Sequence, residues 1–250
     1  MEDHAKEKII VALDVDNEKD ALTLCEKLSD HVGAFKIGLE LIHSTGIAII
    51  QKIAETGGNI FLDLKFHDIP NTVAGAARAV SKLSVKMFNV HTMGGLEMMA
   101  AAVKAAEQWA PMRRPLILGV TILTSIDKQA MNHQLRISGE VEDQVVYLSC
   151  LAERAGLDGV ICSPKEIESI RKNVSRNMLI VTPGVRPIWA SVQDQKRIST
   201  PGEAVIKGAS YLVIGRPITK PPSKIGTCVD AARLIAEEIS AALEKKTQKI

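Results

Sequence analysis

Asp63, Lys65 and Asp68 lie in one short segment, Asp63-Leu64-Lys65-Phe66-His67-Asp68-Ile69-Pro70-Asn71-Thr72, directly after the apolar run Asn59-Ile60-Phe61-Leu62. The run reads as a strand buried on both faces. Residues two apart on a strand share a face, so Asp63 and Lys65 are expected to project together, with Asp68 where the strand gives way to a loop. Charges buried without partners cost several kcal/mol, so these groups must face one another, a ligand, or both. An ammonium held among carboxylates stays protonated and is able to pass a proton to developing negative charge.

A structural ion pair is the plain alternative, and two other strand ends argue against it. Ile9-Ile10-Val11-Ala12-Leu13 runs into Asp14, and Ala34-Phe35 runs into Lys36. Packing alone prefers Val, Ile and Leu at such positions. His67 and His91 each stand alone near a strand end without metal-ligand spacing, so neither is assigned a chemical role.

Short β-branched runs alternate with helical periodicity along the chain, the pattern of repeated βα units on a parallel sheet. Eight such runs are read, at 9–15, 34–41, 59–66, 87–92, 115–123, 159–163, 178–184 and 211–217. Helices are expected at Glu18 to Leu28, Leu96 to Trp109, Glu142 to Ala155 and Asp230 to Lys245. This rhythm in 250 residues, without a linker or low-complexity tract, predicts an α/β protein made of one (β/α)8 TIM barrel over residues 1–250. A doubly wound open sheet is the alternative. Barrel enzymes build their sites at the strand C-termini, where a closed barrel brings Asp14, Lys36, Asp63 and Lys65 round one rim.

Composition narrows the function. Hydrophobic residues make up 46% of the chain and the net charge is +2, as in an ordinary globular protein. Aromatic residues are 3%, and no basic block is interleaved with them, which argues against nucleic acid as a partner. The charged opening Met1-Glu2-Asp3-His4 lacks an apolar signal core, and no run approaches a membrane span, so a cytoplasmic location is expected. The four cysteines, Cys25, Cys150, Cys162 and Cys228, are far apart and read as reduced packing residues.

A barrel phosphate site is usually made by the loops after strands 7 and 8. The eighth run ends Ile214-Gly215-Arg216-Pro217, where Gly215 permits close approach and Arg216 offers a planar fork of donors. The loop after the seventh, Thr182-Pro183-Gly184-Val185-Arg186-Pro187 through Arg197, is long and polar enough to act as a lid. Trp189 in that loop reads as an aromatic packed on the rim. Neither GxxxxGK[ST] nor GxGxxG occurs in the required context, so a phosphomonoester is the expected ligand.

Taken in order, Leu13-Asp14, Phe35-Lys36-Ile37-Gly38, the Asp63 to Thr72 block, Leu123-Thr124-Ser125, Thr182 to Pro187, Asp194-Gln195-Lys196-Arg197 and Ile214 to Pro217 resemble the orotidine 5'-monophosphate decarboxylase family over nearly the whole chain. The resemblance implies a homodimeric barrel, free of cofactor and metal, that converts orotidine 5'-monophosphate to UMP. It implies Lys65 as the proton donor at C6 and Asp63 beside the scissile carboxylate. Lys36 and Asp14 then meet the ribose, while Asp68 and Thr72 reach into the partner subunit's site. Thr124 and Ser125 would meet the pyrimidine edge, and Arg186, Gln195, Gly215 and Arg216 the phosphate. The stretch Pro187-Ile188-Trp189-Ala190-Ser191 departs from the more acidic, polar lid of the family pattern. Two other readings stay open: a related sugar-phosphate decarboxylase, which normally uses a divalent metal, and a non-catalytic phosphate-ligand barrel.

Overall fold

A computed structural model describes residues 2–110, 112–190 and 199–247. Eight strands run in chain order: β1 (Ile9–Ala12), β2 (Ala34–Ile37), β3 (Ile60–Phe66), β4 (Met87–His91), β5 (Leu116–Val120), β6 (Gly159–Ile161), β7 (Leu179–Pro183) and β8 (Tyr211–Ile214). They close into a barrel in the order β1 to β8, with helices between them, so the fold is a (β/α)8 barrel and not an open sheet. Each strand lies inside one of the eight runs expected from sequence. The chain divides into two compact units, one of Met1–Asp63, Leu83–Lys86 and Thr182–Ile250, the other of Leu64–Lys82 and Met87–Val181.

In the first unit β1 pairs in parallel with β2 and with β8, and β2 pairs with β3. All four residues of β1 are buried, which is why its sequence is continuously apolar, Ile-Ile-Val-Ala, without polar alternation. The long C-terminal helix, Cys228–Thr247, buries Ala231, Ala232, Ile235, Ala236 and Ile239 along one stripe. It meets the helix Pro201–Lys207 through Glu238, whose carboxylate accepts the Gly202 N–H at 3.0 Å. That shorter helix opens with a capping box: Thr200 accepts from the Glu203 N–H while the Glu203 carboxylate accepts from the Thr200 N–H.

In the second unit β4, β5, β6 and β7 pair in sequence. The helices Pro70–Val80 and Gly95–Trp109 bury Val73, Ala77 and Val80, and Met98, Met99, Ala102 and Ala106, at helical spacing. Arg114 grips Asp158 with two parallel bonds, Nη1 to Oδ2 at 2.6 Å and Nη2 to Oδ1 at 2.9 Å. The same Oδ2 accepts the Ile117 N–H at 2.7 Å, tying the entry of β5 to the entry of β6. Asp158→Ala leaves a half-buried guanidinium and a strand N–H without this partner. It is expected to cost about 2–3 kcal/mol, a fall of roughly 5–10 °C in Tm by thermal melting, with turnover at 25 °C unchanged.

Two sequence expectations need correction. The second run was read as strand to residue 41, but β2 stops at Ile37 and a helix begins at Leu39. Leu39-Glu40-Leu41-Ile42 fits either period over so short a length, and Gly38 breaks the strand. Of the four free cysteines only Cys25 and Cys162 are buried; Cys150 and Cys228 are half-exposed. Burial pushes the Cys25 thiol up to about 12, so this residue is inert packing. Among the described residues no helix is long and apolar enough to cross a membrane.

Candidate active site

The charged strand ends of the first unit form a chain of alternating sign. Lys36, within β2, places Nζ 3.3 Å from Asp14 Oδ1 and 3.5 Å from Asp63 Oδ2. The Lys36 and Asp63 side chains are only 12% and 14% exposed, whereas Asp14 is 59% exposed. Asp14 lies two residues beyond the end of β1, where the chain has left the barrel wall. One ammonium between two carboxylates satisfies the buried pair, and the exposed Asp14 oxygens remain open to a ligand.

Gly215 follows β8 directly, and a Cβ there would sit 3.3 Å from Asp14 Oδ2. Its bareness therefore serves the Asp14 carboxylate as much as any phosphate. Arg216 is exposed and opens a four-residue helix, Arg216–Thr219, with Pro217 in its first turn. After β7, Gly184 takes φ +76°, a conformation that β-carbon-bearing residues rarely adopt, and lets the loop turn toward half-buried Arg186. The Arg186 N–H donates to the Ser199 carbonyl at 3.1 Å. Ile188 is exposed and Trp189 half-buried. Gln195, with its Asp194-Gln195-Lys196-Arg197 motif, lies outside the described residues.

In the second unit Lys65 has φ +52°, one of two non-glycine residues with positive φ among those described. That conformation costs about 1–2 kcal/mol for a residue bearing a β-carbon. The simple alternation that put Asp63 and Lys65 on one face assumes extended backbone throughout, and the backbone departs from it at Lys65. The Lys65 N–H donates to the Asn89 side-chain oxygen at 2.7 Å, and Asn89, in the middle of β4, is fully buried.

His67 and His91 stack, with ring centroids 5.2 Å apart and planes 19° from parallel. Burial, and next the positive potential of His67 and Lys65, hold the His91 imidazole below its ordinary value, so it is neutral at physiological pH. Its Nδ1 accepts the Met93 N–H at 3.4 Å. Asp68 is exposed beyond β3, its Oδ1 accepting the Ile69 N–H at 2.6 Å. Thr72 is exposed in the first turn of the helix Pro70–Val80. Thr124 and Ser125 are exposed in the loop after β5, and Thr124 borders a cleft of about 400 Å³ that includes Asp127, Lys128, Glu140 and Glu166. Burial raises the Glu166 carboxyl above its usual range. Among the described residues no three His, Cys, Asp or Glu side chains gather so as to hold a metal ion.

Sequence reasoning missed Asn89. It stands between Phe88 and Val90 in a buried strand, and a polar residue where packing favours an apolar one was the signal available.

A closed (β/α)8 barrel with paired Asp and Lys on or just beyond its first three strands defines a class of barrel enzymes that act at the strand C-termini. The family model described as "Orotidine 5'-phosphate decarboxylase / HUMPS family" matches residues 7–228, and this chain belongs to that family. It is 51% identical over 239 residues to the orotidine 5'-phosphate decarboxylase of Moorella thermoacetica, covering 94% of this chain and 93% of that one. The enzyme of the same name from Trichlorobacter lovleyi is 51% identical over 243 residues, covering 97% and 99%. Among solved structures, orotidine 5'-phosphate decarboxylase from Lactobacillus acidophilus superposes with a TM-score of 0.81 at 37% identity, over 92% of this chain and 98% of that one.

Proposed function

We propose that this chain, as one barrel domain over residues 1–250, decarboxylates orotidine 5'-monophosphate to UMP, with Lys65 protonating C6 as carbon dioxide leaves. Two kinds of support converge: family membership across residues 7–228, and the ion chain Asp14–Lys36–Asp63, which delivers a carboxylate two residues before Lys65 on β3. The ion chain carries the reading, because a barrel without chemistry has no use for half-desolvated charges at successive strand ends.

When the bond from C6 to the carboxylate breaks, its electron pair stays on C6, a carbon with no adjacent electron sink. The Lys65 ammonium stabilises that charge and transfers its proton to C6, ending neutral until solvent reprotonates it. Asp63 faces the departing carboxylate and favours its loss as neutral carbon dioxide. Lys36 and Asp14 hold the ribose hydroxyls, Thr124 and Ser125 the pyrimidine edge, and Arg186, Gln195, Gly215 and Arg216 the phosphate. No resident cofactor or metal takes part.

The working unit in this proposal is a homodimer, with Asp68 and Thr72 serving the partner's site. Both are exposed, as is the large apolar Ile69 between them, a side chain that a second copy would cover. The location is cytoplasmic, and neither nucleic acid nor membrane is a partner.

The direct test follows the absorbance band of orotidine 5'-monophosphate with purified protein in excess chelator. Rapid loss of the band is expected. An unchanged band, with activity appearing on a sugar phosphate plus divalent metal, favours the sugar-phosphate reading; activity on neither favours a binding protein.

A further inference from the structure

We infer that Asn89 is a positioning residue for Lys65, fixing the direction of the ammonium by holding the backbone that carries it; this rests on the assignment of Lys65 as the proton donor. At the C-terminal end of β3 the chain turns into a left-handed conformation at Lys65, and its N–H is taken by a side-chain oxygen at 2.7 Å. A left-handed residue persists where its surroundings over-determine it, and such residues gather where geometry matters to chemistry. The other left-handed non-glycine residue among those described, Arg136, sits in an exposed loop outside the barrel strands.

Asn89 suits this role in position and in charge. Its strand pairs in register with β5, Asn89 opposite Leu118, and its neighbours Phe88 and Val90 are fully buried, so its Cα is fixed by rigid sheet. Phe88 in turn packs on Phe66, the residue after Lys65, with ring centroids 5.9 Å apart. Two consecutive residues of β3 are thereby held by two consecutive residues of β4. An amide oxygen is a strong acceptor without charge, so it anchors the Lys65 backbone without adding another carboxylate beside the ammonium. A buried amide is costly unless its hydrogen bonds are used, which makes Asn a poor choice for packing alone.

The role is read by comparing Asn89→Leu and Asn89→Ala, which lack the acceptor, with Asn89→Asp, which keeps an oxygen there. Steady-state kinetics, Tm and the Tm increase given by UMP are measured for each, with Lys65→Ala alongside. Misplacement of a reacting group by about 1 Å costs on the order of 100-fold in rate. Leu and Ala variants are therefore expected to lose roughly 10- to 100-fold in kcat, with KM within about threefold and the UMP-induced Tm increase retained. Asn89→Asp is expected to keep kcat within about tenfold of wild type. Wild-type kcat in a folded apolar variant overturns the inference. So does a parallel collapse of kcat, KM and UMP stabilisation, or failure of both apolar variants to fold, since Asn89 then serves the fold at large. Full activity in Lys65→Ala removes the proton-donor assignment itself; inactive Lys65→Ala beside fully active Asn89→Leu removes only the role of Asn89.

Discussion

Lys65→Ala is expected to reduce kcat by roughly 10⁴- to 10⁷-fold in the decarboxylation assay while Tm stays close to wild type. The range multiplies two losses: general acid catalysis, worth about 10²- to 10⁴-fold, and electrostatic stabilisation of the carbanion, worth about 10²- to 10³-fold. Both act on the transition state, so the loss falls on kcat more than on KM. Removing the side chain takes away the ammonium two residues from Asp63 on β3, but Lys36 still lies 3.5 Å from Asp63 and holds that half of the array. Stability is therefore largely spared. A Lys65→Ala protein that turns over within tenfold of wild type would leave the fold standing and remove the mechanism.

The second large effect is expected at Arg216, far in kind from the bond that breaks. On the proposed assignment, Arg216→Ala removes a fork of two charge-assisted hydrogen bonds to the phosphate, each worth about 1.5–3 kcal/mol. A fall of roughly 10²- to 10⁴-fold in kcat/KM follows at about 1.4 kcal/mol per tenfold. Because the side chain is exposed at the start of the helix Arg216–Thr219, Tm should not move. Binding energy from a remote, non-reacting group can organise the reacting end of the site. Phosphite dianion added with a nucleoside lacking the phosphate should accordingly restore part of the rate in wild type, and much less in Arg216→Ala. If phosphite has no effect on wild type, phosphate binding serves affinity alone and the loop after β7 does not act as a lid.

How much of this could be read from residue order depends on which physical signal each feature leaves. The barrel strands are legible because their buried stretches are short apolar runs, such as Ile-Ile-Val-Ala in β1 and Ile-Phe-Leu at the start of β3; even three-residue β6 sits within its run. Helix Glu18–Leu28 matches the bounds expected from periodicity, and the structure shows Asn17 capping it, its side chain accepting from the Asp20 N–H. The end of β2 is not, since the Leu-Glu-Leu-Ile that follows Gly38 serves strand or helix equally. In the site, Lys36 between Asp14 and Asp63 is the arrangement that charged strand ends in a closed barrel require. The exposure of Asp14 escapes such reading because it depends on where β1 stops, a matter of two residues. The left-handed backbone at Lys65 leaves no compositional mark, as glycine would, and the anchor that holds it comes from β4, 24 positions later. Contacts of that kind are set by the register between strands, which the order of residues within either strand does not encode.

The central claim, proton transfer from Lys65 to C6, is tested most directly by running the step backwards. A residue that protonates the C6 carbanion must also, by microscopic reversibility, remove the C6 proton of UMP. Incubating UMP with the enzyme in D₂O and following the C6–H signal by NMR should show slow, enzyme-dependent deuteration in wild type and none with Lys65→Ala. Deuteration that continues undiminished in Lys65→Ala would contradict the account, because the proton would then come from another group.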